Sequence, residues 1–153
     1  MELTGSRVIA ADRGTVWARL NDAETLRAAI PGCTELTGSP DDGFEAVVTQ
    51  KVGPVKATFR GKVVLSDVVE GESYRISGEG SGGVAGFAKG GADVRLADHE
   101  DGTELSYDVQ AQVGGKIAQL GSRLINGFAK KMADQFFENF QTAVEAPALP
   151  DEA

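Results

Sequence analysis

A single histidine, a single cysteine and two groups of crowded carboxylates are the side chains through which this chain could carry acid–base, nucleophilic or metal chemistry. Their spacing assembles none of these. His99 stands in the polar run Asp98-His99-Glu100-Asp101-Gly102, which has the composition of a turn, and reads as a solvated turn histidine rather than a general base. Cys33 follows the helix stop Pro31-Gly32 with no histidine near it in sequence. One thiol cannot hold a metal alone or close an internal disulfide, so it reads as a buried or half-buried structural cysteine. Asp67, Glu70 and Glu72 crowd one expected strand turn and Asp41-Asp42 another, where solvated loop charge is the ordinary reading. Gly78 to Gly91 is rich in glycine but strand-like, and it opens no helix whose N-terminus would cradle a phosphate. The expectation is a nonenzymatic protein without catalytic residues, metal ligands, or a metal-bound or covalently held cofactor.

Binding chemistry has a firmer basis in the pattern. Along the later strands a period of two places Tyr74, Ile76, Gly78 and Gly80 on one face, and Ala88, Gly90 and Ala92 on a face shared with Val94 and Leu96. Half of that inner surface has almost no side chain. A sheet and its covering layer sit about 10 Å apart, so small residues leave either a closer helix or an apolar void. Phe59, Phe87, Tyr107, Leu120, Leu124 and Phe128 are the candidate walls of a void, and each is equally suited to an ordinary core. The residues alone leave both readings open, because glycine in a strand marks curvature or close approach as readily as a ligand.

The element that must cover this face is the last long one. Beyond Gly114-Gly115, the residues Ile117, Leu120, Leu124, Phe128, Met132, Phe136, Phe140 and Val144 recur at three or mostly four positions, the helical period. This predicts about thirty residues of unbroken helix reaching Ala146, about 45 Å long, enough to lie diagonally across an antiparallel sheet. Lys116, Arg123 and Lys130 are spaced seven residues apart and fall on one ridge of that helix, away from Ile117, Leu124 and Phe128. The ridge is either a solvated face or a docking surface for an acidic partner or lipid headgroups.

The sheet itself should come from most of the preceding chain. Leu3 to Ala11 reads as a first strand, and Asp12 stands as an N-cap before a short helix holding Val16, Trp17 and Leu20, with Trp17 a core anchor. Asn21-Asp22 introduces a second short helix, Thr25 to Ile30, stopped by Pro31-Gly32. Phe44 to Val52 and Val55 to Leu65 flank Gly53-Pro54, a hairpin signal, and the second alternates cleanly between apolar and polar residues. Ser73 to Gly80, Ala88 to Leu96 and Thr103 to Val113 follow, separated by turns. The expected class is α+β: a curved antiparallel sheet of about six or seven strands wrapped on a long C-terminal helix, with two short helices after the first strand.

With 153 residues, 41% of them hydrophobic, the chain suits one domain over 1–146 followed by a short flexible tail at 147–153. A net charge of −8 argues against nucleic acid and other polyanionic partners. Met1-Glu2-Leu3-Thr4 lacks the basic start and apolar core of a secretory signal, and no window is apolar enough to span a bilayer, so a soluble cytoplasmic protein is expected.

Four motifs, in order along the chain, carry a specific resemblance: Ala29-Ile30-Pro31-Gly32-Cys33, Lys51-Val52-Gly53-Pro54-Val55-Lys56-Ala57, Gly86-Phe87-Ala88-Lys89-Gly90, and the run from Ala111-Gln112-Val113-Gly114-Gly115 to Ile125. With them the chain resembles the CoxG family of carbon monoxide dehydrogenase subunits, within the START-like (SRPBCC) superfamily, over roughly Met1 to Val144. The resemblance implies the helix-grip (START/Bet v 1-like) fold with a cavity between sheet and long helix. It also implies an accessory, noncatalytic protein of a molybdenum hydroxylase of the carbon monoxide dehydrogenase type, with the hydroxylase subunits as partners. A small hydrophobic ligand such as a quinone, and peripheral contact with the inner face of the cytoplasmic membrane, follow as expectations. The alternatives are a ligand-free assembly or membrane-recruitment factor and a helix-grip hydrolase or cyclase.

Overall fold

The computed structural model describes residues 1–145, so the expected tail at 147–153 lies outside the described residues. The chain opens with strand β1 (Glu2–Ile9), then two short helices, α1 (Arg13–Leu20) and α2 (Ala23–Ala29). Each helix starts where an aspartate can accept a free backbone N–H: Thr15 N–H donates to Asp12 at 3.2 Å and Thr25 N–H to Asp22 at 3.1 Å. Six further strands follow: β2 (Cys33–Ser39), β3 (Gly43–Val52), β4 (Val55–Val69), β5 (Ser73–Ser81), β6 (Phe87–His99) and β7 (Gly102–Gly114). The last element, helix α3 (Ser122–Glu145), completes the helix-grip architecture.

The strands form one seven-stranded antiparallel sheet in the order β1-β7-β6-β5-β4-β3-β2. From β2 to β7 every neighbour is also a sequence neighbour, and only β1 crosses the molecule, to pair with β7. Gly53-Pro54 joins β3 to β4 with Val52 opposite Val55, and Gly53 takes the positive φ of 59° that so short a turn demands. β4 bends where its register slips between Ser66 and Val69, at Asp67, the one non-glycine residue with positive φ among those described. The apolar and polar residues of β4 alternate across the sheet as expected: Val55, Ala57, Phe59, Gly61, Val63 and Leu65 face inward, and the intervening residues face water.

The closing helix differs from its prediction. Lys116–Leu120 forms a 3₁₀ turn, Gly121 follows at φ 94°, and the α-helix begins only at Ser122. Its 24 residues give a rod of about 36 Å rather than 45 Å. The break has a local cause, because a φ of 94° is open to glycine and strained for other residues. Ile117 is buried in the 3₁₀ turn, while α3 sinks Phe137 and Phe140 deepest. The main core runs through Ile9, Val16, Leu20, Ala29, Tyr74, Leu105, Tyr107, Phe137 and Phe140, so it joins β1, the two short helices, β5, β7 and the second half of α3. Asn139 of α3 ties the layers together by donating its side-chain amide to the Ala29 carbonyl at the end of α2, 3.1 Å away.

Candidate ligand cavity

The register of the central strands brings the small inward residues into one patch. Gly61 pairs with Gly80, Gly78 with Gly90 and Gly90 with Ala111, while Ile76 and Val109 flank Ala92. At Gly90 the absence of a side chain is obligatory, since a Cβ there would run into the Gln110 carbonyl of β7. Gly78 is tight in the same way, its missing Cβ 3.0 Å from the Lys62 carbonyl.

Two spaces result. One, about 420 Å³, is a half-open chamber between the sheet and the second half of α3. Its floor is Val63, Leu65, Tyr74, Ile76, Ala92, Val94, Tyr107 and Val109. Its roof is Met132, Ala133, Phe136 and Phe137 of α3, and its end wall comes from Leu20, Asn21, Leu26, Ile30 and Pro31 around the two short helices. The other, about 400 Å³, is an open groove over the glycine and alanine patch, with Phe59, Gly78, Gly80, Ala88 and Gly90 along it. Ala46, Val63, Ile76, Ala92 and Val109 border both, so chamber and groove are continuous along the sheet.

The residues expected from sequence therefore divide. Tyr74, Ile76, Ala92 and Tyr107 line the chamber, and Phe59, Gly78, Gly80, Ala88 and Gly90 line the groove. Phe87, Leu120, Leu124 and Phe128 line neither. Phe87 is 48% exposed because Ala88, its neighbour, takes the inward position, and its ring lies against Gly114. Leu120 and Leu124 sit over Gly53 at the tip of the β3–β4 hairpin, and Leu124 is 40% exposed. Phe128 is half-buried on α3 outside both spaces. Sequence reasoning misses the end wall of α1 and α2 and the whole roof, Met132, Ala133, Phe136 and Phe137, having assigned Leu120, Leu124 and Phe128 to it instead. A hint lies in Phe137 itself, three residues before Phe140 and on the same helical face.

The chamber is almost wholly apolar, and its polar atoms are few. Tyr74 is buried at 6% exposure, burial pushes its phenol far above the ordinary value, and no hydrogen bond to its hydroxyl is found among the described residues. Asn21 donates its side-chain amide to the Trp17 carbonyl at 2.9 Å. The Trp17 indole in turn meets the Tyr74 ring edge-on, with centroids 5.2 Å apart. Among the described residues no charged side chain lines the chamber.

The residues with nucleophilic or acid–base chemistry lie elsewhere. His99 accepts the Asp101 N–H on Nδ1 at 3.0 Å, inside its turn. The Cys33 thiol is pushed up by burial and donates to the Glu35 carbonyl at 3.3 Å, the setting of an unreactive sulfur. Among the described residues no group of three or more His, Cys, Asp or Glu side chains is placed to hold a metal.

The three cations of the expected ridge are not equivalent. Arg123 and Lys130 stand on α3, whereas Lys116 precedes the break at Gly121 and belongs to the 3₁₀ turn. Lys130 is paired with Asp134 at 3.1 Å, and Asp134 also bridges to Arg7 on β1. The Lys130 hydrogen bond, aided by its charge and that of Arg7, holds the Asp134 carboxyl below its ordinary value.

Over residues 5–145 the chain matches the family described as the CoxG subunit of carbon monoxide dehydrogenase. A conserved protein of Geobacillus kaustophilus has a solved structure similar to this one, with a TM-score of 0.88 and 28% identity over 95% of each chain. A Mycobacterium smegmatis protein matches with a TM-score of 0.70 and 13% identity, covering 95% of this chain and 91% of its own. A Thermus thermophilus protein gives 0.69 and 14%, covering 95% and 98%. The last two support the fold alone. No curated protein matches the chain significantly.

Proposed function

The chain belongs to the CoxG family of carbon monoxide dehydrogenase subunits, and on that premise we propose that it is a noncatalytic accessory protein of a carbon monoxide dehydrogenase-type molybdenum hydroxylase. Its chamber holds a small lipophilic molecule, with a quinone as the concrete candidate. The observation that carries this reading is the apolar space of about 420 Å³ beneath α3, within the range of about 300–1,000 Å³ common for small-molecule sites. A ligand burying about 300 Å² of apolar surface there would gain roughly 7 kcal/mol at about 25 cal/mol per Å², before the cost of association. The apolar walls favour a neutral ligand, because an ion moved there would lose its hydration without a partner. The placement of His99 and Cys33 outside the chamber supports a carrier over a hydrolase or cyclase.

A carrier of a redox-active lipophile must meet both the enzyme and the bilayer that stores its cargo. Among the described residues no helix is long and apolar enough to cross a membrane, so contact with the inner face of the cytoplasmic membrane is proposed as peripheral. Native mass spectrometry of the protein purified from its own host, followed by organic extraction, tests the proposal. A bound neutral lipophile at near one per chain is the expected result. A protein that carries nothing and takes up no quinone when one is offered would leave only a ligand-free assembly role.

A further inference from the structure

Given the cavity reading above, on which it rests, the chamber and groove together define the orientation of the occupant. Tyr74 supplies a buried phenol on the sheet floor, beside Trp17 of α1. A phenol can both donate and accept, and leaving it unmet in an apolar surrounding is costly. At the other end the floor becomes Gly78 and Gly80 on the same strand face, opening into the groove. Six residues of strand separate Tyr74 from Gly80, about 20 Å at roughly 3.3 Å per residue. The end beside the short helices therefore carries the buried Tyr74 phenol, while the other is an open, apolar track.

We propose that the site takes an elongated neutral amphiphile head first: a compact carbonyl-bearing head in the chamber, hydrogen-bonded by the Tyr74 hydroxyl, with its apolar tail lying over Gly78, Gly80 and Gly90 toward the open groove. The donor is the Tyr74 O–H and the acceptor the head's carbonyl oxygen. Two other polar side chains line the chamber: the Tyr107 hydroxyl lies against Gly5 of β1, and the Asn21 amide is already engaged by the Trp17 carbonyl. A carboxylate head is disfavoured, since no cation among the described residues lines the chamber to compensate it. Tyr74 thus acts as a specificity-determining residue, selecting a head with an acceptor over a bare hydrocarbon of the same length.

The chain's one tryptophan is Trp17, which reports on this end of the chamber. Decylbenzoquinone and decylbenzene are titrated into the intact protein and into Tyr74→Phe, with affinity followed by calorimetry and the position of the quinone head by quenching of Trp17 fluorescence. The expected result is strong quenching by bound decylbenzoquinone, a loss of about 2- to 12-fold in its affinity in Tyr74→Phe, the range of an ordinary hydrogen bond, and unchanged affinity for decylbenzene. Equal quinone affinity in the two proteins, or quinone bound to the parent without quenching Trp17, overturns the head-first orientation while leaving the cavity reading intact. Binding of neither probe to the parent removes the cavity reading itself. The quenching measurement needs no variant, so the inference stays testable if Tyr74→Phe folds poorly.

Discussion

Tyr107 of β7 stacks on Phe137 of α3, with ring centroids 5.0 Å apart and planes 20° from parallel. This contact is where the floor of the chamber meets its roof, and it sets how closely the helix approaches the sheet. Phe137 is held from a second side by Arg7, whose guanidinium lies 5.5 Å from the ring centre while it pairs with Asp134 one turn earlier on α3. Truncation by Phe137→Ala is expected to cost about 3–5 kcal/mol, the usual range for a buried aromatic. A urea denaturation series would show the loss as a lower midpoint. A change of less than about 1 kcal/mol would mean that α3 is held by its other contacts alone.

The second prediction concerns acid. Thr25, first through its hydroxyl and then through its amide, holds the Asp22 carboxyl at the start of α2 below its ordinary value, and Arg19 adds to the effect. A depressed folded-state pKa contributes stability that is present above the unfolded value, about 3.9, and is lost as pH falls through the folded one. Asp22→Ala should therefore cost about 1 kcal/mol near neutrality, as lost caps do, and that penalty should shrink below about pH 4. Denaturation midpoints of both proteins over an acid series check the convergence, and a penalty independent of pH would show that the cap contributes nothing through its charge.

Much of this architecture is legible in the sequence because the apolar pattern and the turn chemistry agree. The alternation from Val55 to Leu65, the Gly53-Pro54 hairpin, and the caps Asp12 and Asp22 all lie where local sequence places them. The failures have physical causes. β2 gives no signal of its own because Cys33–Ser39, at the sheet edge, buries only Leu36 and so shows almost no alternation. The 3₁₀ turn at Lys116–Leu120 looks like α-helix in sequence because spacings of three and four suit both, and only the positive φ of Gly121 separates them. The chamber lies nearer Tyr74 than the glycine pattern implies, because its end wall comes from Leu20, Leu26 and Ile30, residues far away in sequence. Phe137 is hidden because a four-residue count from Phe128 passes through Phe136, and relative depth on a helix is set by what packs against it.

Docking is expected to depend on two cations rather than three. Lys116 and Arg123 are exposed, whereas Lys130 is engaged with Asp134. Reversing the first two, Lys116→Glu with Arg123→Glu, should slow association with the hydroxylase several-fold at low salt and by less at physiological ionic strength, where screening acts over about 8 Å. Ligand affinity should stay unchanged. An unaltered association rate at low salt, measured by surface plasmon resonance, would assign both side chains to ordinary solvated surface.

The most direct measurement fills the chamber and asks whether ligand is excluded. Gly90 is unsuitable for this, because a side chain there would strike the backbone of β7 and break the sheet instead. Ala92 borders both chamber and groove, between Ile76 and Val109, and its side chain points into the empty space. Ala92→Phe should fold, because the added ring has about 420 Å³ of void before it. Calorimetric titration with decylbenzoquinone is predicted to show at least about tenfold weaker binding to the variant than to the parent, which corresponds to about 1.4 kcal/mol, with thermal stability undiminished. A folded Ala92→Phe that binds decylbenzoquinone with parental affinity would contradict the account, because the ligand would then occupy some other part of the molecule.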